Sequence, residues 1–182
     1  MLIAAILAGI AMGYPILRSY DLIPLSTITH WAGSFGPDRA QSFMFRVDNE
    51  DILLKKAAER QLFGWGIWGR NRVYDKLTGE DLSVTDGTWI ITLGTYGLIG
   101  YLSFFGLMAL PVMMAWRIMR RGYSISAYTA GLCVILSMNL IDLLPNSSLN
   151  NVTLLIAGAI LGAIKAPRPA TSSSSPVMSP ER

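Results

Sequence analysis

The sequence predicts an all-α integral membrane protein, a helical bundle with about four transmembrane helices and a long outer loop that carries an amphipathic interfacial helix. Three observations predict it. Of the 182 residues, 52% are hydrophobic and only 15% are charged, against about 25% charged in soluble domains. The charge is missing in blocks: residues 1–17, 88–116, 122–141 and 143–164 hold no Asp, Glu, Lys or Arg. Each block approaches the roughly 20 apolar residues that a transmembrane helix needs. With a mean hydropathy of +0.42, the chain is not a soluble enzyme, a nucleic-acid-binding module or a disordered protein. The net charge of +3 is too small to imply a polyanionic partner. The single cysteine, Cys133, excludes an intrachain disulfide and says nothing about redox compartment.

The first span covers about residues 1–17, and Pro15 is expected to kink or end it. No Lys or Arg precedes the apolar run and no clear small-x-small cleavage site follows. It therefore reads as an uncleaved membrane helix rather than a signal peptide. Gly9 and Gly13 sit four apart, which suits close helix packing, although membrane helices are Gly-rich in general. Residues 18–87 form the outer loop, with nine of the fifteen basic and ten of the twelve acidic residues. Within it, Ile52, Leu53, Leu54, Ala57, Ala58, Leu62 and Phe63 recur at helical spacing and predict an amphipathic helix over Asp48 to Phe63. Asp48 or Asn49 suits its start and Gly64 its end. Trp65 and Trp68 suit a membrane–water interface, and a Gly- and Asp-containing turn follows around Leu77 to Glu80.

The second span lies at about residues 93–116. Gly94, Gly97, Gly100 and Gly106 are expected to smooth one face of it. Arg117, Arg120 and Arg121 follow at once. The third span covers about 124–141 and the fourth about 152–164, followed by Lys165 and Arg168. Residues 1–165 thus read as one membrane domain and residues 166–182, with Thr171 to Ser175 and four prolines, as a disordered cytoplasmic tail. Short basic loops face the cytoplasm, so residues 18–87 and the turn from Leu143 to Asn151 fall outside.

Few residues carry chemistry. Gly64-Trp65-Gly66-Ile67-Trp68-Gly69 matches GxGxxG, but a helix precedes it and polar Arg70-Asn71-Arg72 follows. A dinucleotide site needs a strand before and a helix after, so the stretch reads as a tight interfacial turn. One histidine and one cysteine far apart offer no metal constellation. Arg46, Arg60, Arg70 and Arg72 are guanidiniums of the outer segment, suited to bidentate phosphate recognition. The alternative is snorkelling, or pairing with Asp48, Glu50 or Glu59. Asp86 directly precedes an apolar run, where it suits either a helix N-cap or a general base at the membrane surface. Asp142, with Asn139 nearby, suits hydrogen bonding in the outer turn or a functional role.

Together, Asp86-Gly87, nine residues and Gly97-Leu98-Ile99-Gly100 resemble the outer-loop signature of the bacterial O-antigen ligase and polymerase family. That family typically has His and a small polar residue, nine residues, then GxxG at the start of a span. Upstream, Arg46, an amphipathic helix and Phe63-Gly64-Trp65-Gly66 are similar to the family's Arg, helix and GxG stretch. The resemblance covers about residues 40–116.

It implies a membrane enzyme of the inner (cytoplasmic) membrane that transfers a glycan from a polyprenyl diphosphate carrier to an acceptor glycan, at the outer face, without cofactor, nucleotide sugar or metal. By that analogy Arg46 holds the donor diphosphate and Asp86 stands at the histidine position as the base, with Arg60, Arg70 and Arg72 as substrate-binding cations. Carboxylate in place of imidazole points to a polymerase-like or exopolysaccharide-type member. The family has ten or more membrane helices. The chain is therefore similar to the C-terminal part alone: a fragment, a chain whose partner supplies the missing helices, or an inactive remnant. The rival expectation is a non-catalytic small membrane subunit or scaffold that packs through its Gly-rich spans.

Overall fold

Alanine, not glycine, makes the face along which the first helix packs. In the computed structural model, which describes residues 1–182 apart from 21, 35, 68, 165–167 and 170–182, helix α1 spans Leu2–Ser19. Ala4, Ala8 and Ala11 have no exposed surface and Ala5 is buried. No described neighbour lies within 4 Å of where a side chain on Gly9 or Gly13 would sit, so these glycines are not the packing face expected of them. Nor does Pro15 end the helix, which continues to Ser19. Proline has no N–H for the carbonyl four residues back, and that carbonyl belongs to Ala11. Tyr101 donates its hydroxyl to it, so the gap in the ladder becomes a tie between helices.

Five more helices follow: α2 (Leu25–Ser34), α3 (Pro37–Ala58), α4 (Thr88–Arg120), α5 (Ala127–Asp142) and α6 (Asn151–Ile164). Of the six helices among the described residues, two, α1 and α4, are long and apolar enough to cross a membrane. The others that fall on predicted spans, α5 and α6, are apolar but have 16 and 14 residues. The centre of the bundle is α4, which touches α1, α3, α5 and α6. Its large Trp89, Tyr101, Phe105 and Met108 share one buried cluster with Ala4, Ala8 and Ala11 of α1. Ser137 of α5 donates to the Ala4 carbonyl at 3.0 Å.

The ends of the helices sort by chemistry. The start of α4 meets the end of α1, where Trp89 and Tyr14 lie edge to face with centroids 4.8 Å apart. Thr88 N–H donates to the Asn146 carbonyl at 3.1 Å, bringing the α5–α6 turn to that end. At the other end, Tyr123–Ser124 (β1) pairs antiparallel with Arg168–Pro169 (β2). That pairing takes two residues out of the predicted disordered tail. Residues 170–182 of the tail, and Trp68, lie outside the described residues.

The polar segment differs most from expectation. Its long helix is α3, which begins at Pro37 rather than Asp48 and ends at Ala58 rather than Phe63. Pro37 suits a first helical position, where its missing N–H costs nothing. Asn49 is no cap: inside the helix, its side chain bonds the Phe45 carbonyl and accepts from Val84 N–H, each at 2.7 Å. The short α2, rich in Thr and poor in helix formers, was not expected and pairs with α3. The turn near Leu77–Glu80 forms as expected, with the Asp75 carboxylate accepting from Leu77 and Thr78 N–H at 2.8 Å.

Helix α4 is broken at Gly97, where φ is 68° and ψ is −168°. Its glycines do not share one face. Gly94 meets Asn71, Gly97 meets Leu62, and Gly106 meets Met12 of α1. Residues 61–66 cross the break at backbone distance. Trp65 and Gly66 N–H donate to the Gly94 and Thr95 carbonyls at 2.9 and 2.8 Å, while Leu98 and Ile99 N–H donate to the Gln61 and Leu62 carbonyls at 2.7 and 3.2 Å. A Cβ on Gly97 would lie 2.3 Å from the Leu62 oxygen, and one on Gly64 (φ 66°) would lie 2.5 Å from the Gly97 nitrogen.

Two stability predictions follow from this packing. Tyr101→Phe keeps the ring but leaves the Ala11 carbonyl without its donor. It should cost about 1–3 kcal/mol in detergent unfolding, and an unchanged midpoint would remove the Tyr101–Ala11 tie as a determinant. Gly97→Ala should cost more than Gly106→Ala, whose Cβ meets only a Met12 methyl at 3.7 Å. Equal losses in thermal unfolding would refute the close crossing at Gly97.

Candidate functional site

Three chain segments meet at the end of the bundle where α4 begins. Helix α3 brings Arg46, the residues just before α4 bring Asp86, and the α5–α6 turn brings Pro145 and Asn146. Arg46 Nε lies 3.7 Å from Asp86 Oδ2, and its Nη1 donates to the Pro145 carbonyl at 3.2 Å and lies 3.5 Å from Asn146 Oδ1. Arg46, Asp86 and Pro145 line a cleft of about 470 Å³, together with Tyr14, Glu50 and Asp142. The pairing expected of Arg46, with Asp48 or Glu50, is absent; its carboxylate partner is Asp86, from across the polar segment. Asp86 does not cap α4. The N-cap is Gly87, without a side-chain bond, and Thr88 is bonded through both N–H and hydroxyl to the Asn146 carbonyl.

The Arg46–Asp86 pair is half exposed, 41% and 43% at the side chains. Such a pair contributes about 0–1 kcal/mol, so it does not hold the cleft together. Its contact is a single long Nε–O approach rather than a bidentate fork. The carboxylate therefore stays open to a hydroxyl, and the guanidinium keeps donor capacity for an anion. Asp142 takes the turn role: it accepts from Asn146 Nδ2 at 2.8 Å and Ser148 Oγ at 2.6 Å.

Glu50 lies deeper in the same cleft. It accepts from Trp89 Nε1 at 3.0 Å and Tyr14 OH at 3.4 Å, and Arg18 Nε lies 3.7 Å away. Burial pushes its carboxyl above the usual carboxylate range. Arg18, buried at the end of α1, also holds Asp51 at 2.5 Å. In sequence Glu50 is marked by a place near the predicted helix start and as a possible partner for an arginine. Its spacing with Arg46, Leu53 and Ala57, by four, three and four residues, is the signal that places it on the inward face.

Arg60, Arg70 and Arg72 come together elsewhere. They line an open groove of about 1050 Å³ on α3 and the segment after it, with Lys55, Lys56 and Lys76. Arg72 pairs with Asp81 and donates to Thr85 Oγ1 at 3.1 Å. Arg60 lies over the Trp65 ring, 4.6 Å from its centroid. The five residues predicted for one site thus divide between a cleft and a groove. The three lysines escape a sequence search for phosphate-binding guanidiniums because they are lysines.

The GxGxxG stretch forms a turn, with Gly64, Gly66 and Gly69 all at positive φ and Asn71 Oδ1 accepting from Gly69 N–H at 3.1 Å. Among the described residues, no three His, Cys, Asp or Glu side chains group as a metal site would require. Comparison with protein-family models, with curated proteins and with solved structures returns no match.

Glu50 generates a pH prediction. Its carboxyl binds a proton more readily in the folded chain, so its contribution to stability is complete below the unfolded value of about 4.3 and is lost as pH rises through the raised folded value. Glu50→Gln keeps an acceptor for Trp89 Nε1 and removes the titration. As pH rises from about 4.3 through the raised folded value, the parent should lose thermal stability relative to Glu50→Gln. A constant difference across that range would show that Glu50 titrates alike in both states.

Proposed function

We propose that this chain is part of a membrane glycan polymerase or ligase, transferring glycan from a polyprenyl diphosphate carrier to an acceptor glycan at the outer face of the cytoplasmic membrane. The observation that carries the reading is the convergence of Arg46 and Asp86, forty residues apart, in one cleft at the head of α4. The interlock of the Gly64–Gly66 turn with the Gly97–Gly100 stretch also supports it, because the two parts of the family resemblance then act as one unit. In the proposed reaction, Asp86 accepts the proton of an acceptor hydroxyl. The acceptor oxygen bonds to the anomeric carbon of the donor sugar, and the bond from that carbon to the diphosphate oxygen breaks. Arg46 holds the departing diphosphate, for which a guanidinium is suited because it stays charged beside lipid.

In this reading α1, α4, α5 and α6 all span the bilayer. The break at Gly97 leaves Leu98–Arg120, about 35 Å of helix at 1.5 Å per residue, against a hydrocarbon core of about 30 Å. Helices α5 and α6 are shorter than the core, a mismatch met by local thinning or flanking residues. Arg117, Arg120 and Arg121 face the cytoplasm, and residues 18–87 and 143–151 lie outside. Further membrane helices complete the enclosure of the lipid-linked donor.

The test is complementation in the native host. Deleting the gene should shorten or abolish a surface polysaccharide, and the parent sequence should restore it. Arg46→Lys should fail to restore it, since a diphosphate clamp tolerates that change poorly. Asp86→Asn should lower transfer by about 10²–10⁴ at unchanged protein level. Normal polymer from both variants would leave the pair as a surface contact and favour the non-catalytic subunit.

A further inference from the structure

The groove that gathers Arg60, Arg70 and Arg72 shares no lining residue with the cleft of the transfer proposed above. Its lining holds six cations and, among acids, only Glu59. Glu59 is bonded to Lys56 at 3.0 Å, and Arg72 has Asp81 beside the groove. Among the described residues, Lys55, Arg70 and Lys76 make no ion pair. The groove therefore keeps a surplus of positive charge that the protein itself does not neutralise.

Its height is set by α4. Trp65 forms part of the wall, and its indole N–H donates to the Lys56 carbonyl at 2.9 Å while Lys56 Nζ sits 3.8 Å from the ring centroid. Trp65 N–H is bonded to Gly94 of α4 at 2.9 Å. The cations are thus tied to the level of the helix break, where the long apolar stretch of α4 begins. Apolar side chains stand beside them at the same level. Leu62, Phe63 and Ile67 are 57%, 73% and 68% exposed, and Tyr96 and Ile99 of α4 are exposed nearby. Cations beside a rim of exposed apolar side chains match the boundary between headgroups and acyl chains.

We propose that this groove is a binding site for anionic phospholipid headgroups, seated by the lipid phosphates on Lys55, Arg70 and Lys76 and by the acyl chains on Leu62, Phe63 and Ile67. The cations are spread along an open groove rather than gathered into a fork, which suits several singly charged headgroups. The site anchors the outer segment to the bilayer surface through the turn that crosses α4. It goes beyond the transfer reading and requires only that α4 sits in a bilayer.

The test is lipid binding to the full chain in detergent, read by native mass spectrometry with phosphatidylglycerol and phosphatidylcholine. Phosphatidylglycerol should bind more tightly. The Lys55→Gln/Arg70→Gln/Lys76→Gln variant, altered only at exposed positions, should lose about tenfold or more of that affinity, each surface cation being worth several-fold. The charge-conserving Lys55→Arg/Arg70→Lys/Lys76→Arg variant should keep it, and so should Arg46→Lys, which separates this site from the transfer cleft. Inorganic phosphate at millimolar concentration should not compete. Equal binding of the two lipids, or an unaltered neutral variant, would overturn the proposal. Full displacement by phosphate would reduce it to a free-anion site, and displacement by an acidic oligosaccharide would reassign the groove to a glycan.

Discussion

Four backbone hydrogen bonds across the break in α4 are the constraint on which the polar half of the protein depends. In an unbroken helix Leu98 and Ile99 N–H would bond the Gly94 and Thr95 carbonyls. Gly97, with φ 68°, separates these partners. A buried peptide group left without a partner costs about 1–3 kcal/mol. Residues 61–66 supply the replacements, two carbonyls for the two N–H groups and two N–H groups for the two carbonyls. The exchange is complete only if the two backbones nearly touch, which is why neither Gly64 nor Gly97 has room for a Cβ.

From this joint the rest of the polar half is positioned. Beyond the end of α3 at Ala58, the carbonyls of Gln61 and Leu62 are directed to α4. Asn49 ties the middle of α3 to Val84, and Arg18 ties it to the end of α1 through Asp51. With α3 held in this way, Arg46 comes to rest beside Asp86. The weak ion pair between them is a consequence of the placement, not its cause.

The two cation sites differ in what surrounds them. Arg46 has a carboxylate and a carbonyl within reach and shares its cleft with Glu50 and Asp142, so its charge is locally balanced. The Arg60–Arg70–Arg72 groove is not balanced, although the whole chain carries only +3. A small net charge thus conceals a concentrated one. In the apolar half, the tie from Tyr101 to the carbonyl freed by Pro15 fixes α1 against α4 at a point where alanine alone would let the helices slide.

Hydropathy is a local property, and what depends on it was legible along the chain. The apolar helices fall close to the expected spans: α5 at Ala127–Asp142 against 124–141, and α6 at Asn151–Ile164 against 152–164. The turn reading of Gly64–Gly69 was legible for the same reason, since its neighbours in sequence exclude a dinucleotide fold. Partner choice is not local. Nothing next to Arg46 in the chain says that Asp86 rather than Glu50 is its partner, nor that Glu50 lies under Trp89. The start of α3 was missed because Asp48 and Asn49 look like caps, whereas the Asn49 side chain is occupied by Val84. Gly9 and Gly13 looked like a packing motif, but the buried face of α1 follows its alanines. Composition therefore decided that the chain builds apolar helices and where they lie. Tertiary structure decided which charges meet, because that depends on which peptide groups the broken helix leaves for a distant turn to bond.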